Sequence, residues 1–137
     1  MDHETIRRRL AQRAGVGADS PAIAEAALGA WGQIADALVP VIGTRGVDAL
    51  FSRSLHVTAR VFPWLAIETG EAGGSVLLGI IKARLAANEP LEAAATNQAL
   101  LVNFTALLSS LIGESLSESL LEAVWISPAA EDQQEHN

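Results

Sequence analysis

Five prolines set the limits on what this chain can become. A proline has no backbone N–H and clashes with the preceding turn of a helix, yet its fixed geometry suits a helix's first turn. The prolines stand at positions 21, 40, 63, 90 and 128, and the stretches between them carry apolar residues three and four apart. That spacing is helical. Strand signals are nearly absent: there is no Tyr, few β-branched runs and no sustained alternation. The fold class read from this pattern is all-α, a single antiparallel helical bundle of four long helices plus one or two short ones.

The punctuation predicts where each helix lies. Ser20 is the expected N-cap of the first long helix, with Pro21 at its first position. Its inner stripe is Ile23, Ala27, Ala30, Trp31, Ile34 and Leu38, and Pro40 should kink or end it near Val39. The glycine-bounded turn Gly43 to Gly46, with Thr44 as cap, then opens a helix to Phe62 that carries Val47, Leu50, Phe51, Leu55, Val61 and Phe62 on one side. Pro63 closes it. A connector, Gly70 to Gly74, leads to a helix from about Ser75 to Ala87, for which Asn88 offers a left-handed exit. Pro90 starts the longest helix, ending near Gly113, with Leu100, Leu101, Phe104, Leu107, Leu108, Leu111 and Ile112 on one broad face. Ser115 and Glu118 form a capping-box pattern for a last helix, Leu116 to Ile126.

No linker or repeat divides the chain. Residues 1–127 are expected to form one domain, with 1–18 a loosely attached N-terminal helix whose inner residues are Ile6 and Leu10. Residues 128–137 are polar and acidic and read as a disordered tail.

Charge narrows the function. The net charge is −7 and the isoelectric point about 4.8. Nucleic-acid binding and docking on anionic lipid both run on cationic surface, so neither partner is expected. The opening "MDHETIRRRL" is charged with no apolar run behind it, unlike a signal peptide. The uncharged stretch Ala93 to Gly113 could span a bilayer by length. Its Thr, Asn, Gln and Ser residues and its lack of basic flanks favour a buried helix, so no membrane is expected. With no cysteine, disulfides and thiol chemistry are excluded, which suits a reducing, cytoplasmic setting. Hydrophobic residues make up 50% and there are 11 glycines besides. Together they exceed the roughly 45–50% apolar share of an ordinary domain, which points to a subunit interface, most simply a homodimer.

Few residues offer chemistry. In "RSLHVTAR", His56 follows Arg53 by three residues and precedes Arg60 by four, on the side of its helix away from the apolar cluster. Two guanidiniums beside an imidazole favour its neutral form, which is nucleophilic, and they could hold an incoming phosphoryl group. An acidic helical bundle of this length with one exposed histidine resembles the histidine phosphotransfer domain. That family places a lysine three residues after the histidine and a small residue four after it, where this chain has Ala59 and Arg60. The resemblance implies a phosphoaccepting role for His56 and a response-regulator partner, whose approach Arg60 would crowd. The plainer alternative is a solvated face.

Other candidates are polar residues on apolar faces. Asn97 shares the face of Leu101, and Arg84 that of Ile80 and Ile81. A buried Asn or Arg must find partners, either by building a polar pocket for a small molecule or by fixing helix register and reaching water at a helix end. Trp31 and Trp125 fall on inner faces. Trp64, where the chain turns, is the candidate interface anchor. His3 and His136 sit near the termini without metal-ligand spacing, so no metal site is expected. "GTRG" and "GEAGGS" lack the strands that nucleic-acid and phosphate loops need. There is no cofactor fingerprint and no nucleophile–base pair, so an enzyme is not favoured. The expected function is protein–protein association in a signalling or regulatory role. Phosphotransfer through His56 and small-molecule sensing through Arg84 and Asn97 are the alternatives.

Overall fold

The computed structural model describes residues 3–15, 17–65 and 74–126, and they are helical with no strand among them. The elements are α1 (His3–Ala14), α2 (Ser20–Thr58), a 3-10 turn at Pro63–Leu65, α3 (Gly74–Ala86), α4 (Pro90–Ile112) and α5 (Glu114–Ile126). Most of the connector at 70–73, the tail at 128–137 and His136 lie outside the described residues.

Helix α2 departs from expectation at both ends and in the middle. Its cap is Asp19, not Ser20. Asp19 is extended, and its carboxylate accepts the Ala22 N–H at 3.0 Å. Ser20 instead donates its hydroxyl to the Asn88 carbonyl, which ties the start of α2 to the α3–α4 junction. Pro40 does not end the helix near Val39. The N–H missing at Pro40 leaves the Asp36 carbonyl without its helical donor, and Asp36, Val39, Pro40 and Val41 are all exposed, so water can serve it. The break comes at Gly43, with φ 82° and ψ 162°, a conformation open to glycine and strained for other residues.

This break divides α2 into two arms, 20–42 and 44–58. Trp31 and Phe51 lie 20 residues apart, which is about 30 Å along a straight helix. Their ring centroids are 5.1 Å apart, so the second arm folds back on the first. The second arm leaves the helix at Thr58, short of the expected Phe62. Arg60, Val61 and Phe62 continue in tight turns bonded to Val57 and Thr58. Val61, expected on the inner side, is therefore off the helical wheel and 73% exposed.

The other helices pack around this hairpin. Ser20 meets Asn88 just beyond α3 and Glu25 pairs with Lys82 at 2.7 Å, so α3 runs antiparallel to the first arm. Ile23 shares a cavity wall with Pro90 and Leu91, and Trp31 meets Asn97 and Phe104, so α4 runs alongside the first arm in the same direction. Thr58 meets Asn103 and Trp64 meets Glu92, which sets the second arm antiparallel to α4. The second arm and α3 thus point the same way. Gly113, with φ 95°, turns the chain into α5. That helix starts at Glu114, ahead of the expected capping box, and puts Ser115 inside its first turn. Asn88 is not left-handed. Positive φ among the described residues occurs only at glycines, and Asn88 instead donates its amide to the Arg84 carbonyl at 2.8 Å.

Leu38, Leu55, Leu77, Leu85, Leu100 and Phe104 occupy the centre of the core. Leu111, expected on the inner face, is 59% exposed, two residues before the turn at Gly113. To the expected anchors Ile6 and Leu10, α1 adds Arg13. Its guanidinium donates to Gln33 at 2.6 Å and to the Val124 carbonyl at 2.7 Å, and lies over the Trp125 ring. By length and composition alone, α2 and α4 are each apolar enough to cross a membrane.

Candidate functional site

The second arm of α2 buries one side and exposes the other. Val47, Phe51, Ser54, Leu55 and Thr58 face the bundle. Ser54 and Thr58 turn their hydroxyls back to the carbonyls of Leu50 and Ser54, so neither is an unmet polar group inside. The opposite side carries Arg45, Ala49, Arg53, His56 and Arg60, all exposed. At 100° per residue the four within the helix, Arg45, Ala49, Arg53 and His56, fall within an arc of about 80°, and Arg60 follows in the turn after Thr58. The stripe is cationic on a chain whose net charge is −7.

These cations also differ from the others in their company. Arg7 pairs with Glu4, Arg9 with Glu122, and Lys82 with Glu25. Arg13 and Arg84 donate to partners inside the bundle. Among the described residues, Arg45, Arg53, His56 and Arg60 have no ion pair or hydrogen bond from their side chains. Arg8 on α1 shares that condition but stands apart from the stripe. The structure therefore brings Arg53, His56 and Arg60 onto one open surface and extends it to Arg45. Arg45 stands within "GTRG", eight residues before Arg53, and helical periodicity puts it on the same side of the wheel.

The remaining candidates are separated. Arg84 is half-buried and donates to the Trp64 carbonyl at 2.6 Å. Trp64 is half-buried, and its indole N–H donates to Glu92 at 3.2 Å. Trp64, Arg84 and Asn88 line a shallow open depression of about 580 Å³. Asn97 is buried, accepts the Trp31 indole N–H at 3.0 Å, and borders a different cavity of about 460 Å³ between α1, α2 and α4. Arg84 and Asn97 thus line different cavities among the described residues. Among the described residues, no three His, Asp or Glu side chains converge as metal ligands. Compared with family models, with curated proteins and with solved structures, the chain matches none.

Proposed function

We infer that this chain is a cytoplasmic, non-enzymatic bundle acting by protein–protein association, as a signalling or regulatory accessory that docks an acidic protein surface along the second arm of α2. One observation carries the reading. In a chain with an excess of acids, Arg45, Arg53 and His56, without partners among the described residues, line up on one exposed helical stripe, and the equally unpartnered Arg60 follows in the turn that ends it. An acidic partner gains charge complementarity there, while the rest of the molecule repels it and so fixes the docking orientation. Nucleic acid fits less well, since the remaining surface is anionic.

The test is comparative capture from the native cell, wild type against Arg53→Glu with Arg60→Glu. The partner retained only by the wild type is then purified and its affinity measured. Charge reversal and a rise to 0.5 M salt should each weaken it at least tenfold. Partners indifferent to the reversal, or recovery of the chain itself as sole partner, would replace this reading with self-association through another face.

The exposure of His56 between two arginines supports a second reading, as a phosphoryl acceptor. A ring nitrogen would attack the phosphorus of a partner's aspartyl phosphate, forming an N–P bond as the carboxylate leaves. An acid-labile phosphate absent from His56→Ala would favour it. No labelling by any phosphorylated receiver protein would remove it.

A further inference from the structure

A cavity of about 500 Å³ lies between the two arms of α2, in the angle made at Gly43. Its apolar wall comes from four places: Trp31 and Ile34 on the first arm, Val47 and Phe51 on the second, Leu78 on α3 and Phe104 on α4. The three rings form one edge-to-face cluster, with Phe51 at 5.1 Å and Phe104 at 5.2 Å from the indole. The indole N–H is already given to Asn97, so Trp31 offers this cavity its π system and no donor. Asp36 from the first arm and Asp48 from the second are its ionisable residues, with Thr44 beside them. Among the described residues neither carboxylate has an ion pair or a hydrogen bond.

We propose that this cavity binds a small organic cation, an ammonium group carried on an apolar body. The volume falls in the range of ligand sites, roughly 300–1,000 Å³. Two acids and no cation in the lining exclude an anionic ligand by simple repulsion. Among the side chains that line it, Thr44 supplies a donor, which disfavours a neutral polar ligand rich in acceptors. An ammonium satisfies both features at once, with its charge near the carboxylates and its apolar body against the aromatic cluster. The acids come from the two arms on either side of Gly43, and both line the same cavity.

The probe is benzyltrimethylammonium, set against neopentylbenzene, its neutral isostere, and phenylacetate, an anion of similar size. Binding is followed by the Trp31 indole and Phe51 ring resonances. Two variants accompany the wild type. Asp36→Asn with Asp48→Asn removes the charge at little change in shape. Gly32→Leu fills the space: Gly32 lines the cavity, and a Cβ built there meets nothing within 4 Å, so the first carbon of the new side chain is accommodated. Leucine is also the better helix former, which keeps the fold intact. The cation should perturb both resonances, bind at least tenfold more weakly to the Asn variant, and not bind Gly32→Leu. The isostere should bind the wild type and the Asn variant alike, and phenylacetate neither. Absence of cation binding, equal affinity for wild type and Asn variant, or undiminished binding to Gly32→Leu would each overturn the proposal.

Discussion

Asn97 is 3% exposed, and its side-chain carbonyl is matched to the Trp31 indole across the α2–α4 contact. Its burial was legible in the helical wheel. Its partner was not, because the two residues are 66 apart in sequence and meet only through tertiary packing. Asn97→Leu would leave the indole N–H buried without an acceptor, at a cost of about 1–3 kcal/mol, read as a lower urea midpoint and an upfield shift of the indole proton. Unchanged stability would mean the indole finds another acceptor. Thr96, one residue earlier, is fully buried, and its hydroxyl has no partner among the described residues. Thr96→Val keeps the shape and removes the orphan, so it should stabilise by about 1 kcal/mol. A loss of stability in the same urea experiment would show that the hydroxyl is bonded after all.

Among the elements, α2 separates what local signals decide from what they do not. The helix runs through Pro40, whose penalty falls on an exposed turn, and breaks at Gly43, the first residue of the glycine-bounded turn that the sequence predicts. Gly43 decides the reversal, because its backbone lies in the left-handed region. Gly43→Ala should therefore destabilise by about 1–2 kcal/mol, although its Cβ would meet nothing within 4 Å. A neutral result in calorimetry would mean that the turn relaxes. The N-terminal helix makes the complementary point. Ile6 was readable as an inner residue, but the contacts of Arg13 with Gln33, Val124 and Trp125 were not, since they are made across the packing of α1 on α2 and α5. Arg13→Ala should raise amide exchange across α1 at least tenfold while α4 stays protected. Equal protection in both helices would show that Ile6 and Leu10 hold α1 without it.

At the scale of the whole molecule, the apolar excess and the charge tell different stories. The all-α architecture was legible because the period is helical throughout, and the inner faces holding Trp31, Leu38, Phe51 and Phe104 are buried as expected. The excess of apolar residues suggested an interface, but the large exposed ones reduce to Val39, Val41, Val61, Leu91, Leu111 and Leu116 among the described residues. The cationic stripe lies on a helix whose opposite side fills the core, so its position is fixed by packing it takes no part in. Arg53→Glu with Arg60→Glu should therefore change stability by no more than about 0.5 kcal/mol.

That independence permits the most direct test of the central claim. The labelled protein is titrated at low salt with a helical peptide rich in glutamate, and the perturbed amide resonances are mapped. The account predicts shifts centred on Arg45, Arg53, His56 and Arg60 that vanish in the double charge reversal. Shifts centred on Arg7 to Arg9 of α1, or none at all, would contradict it.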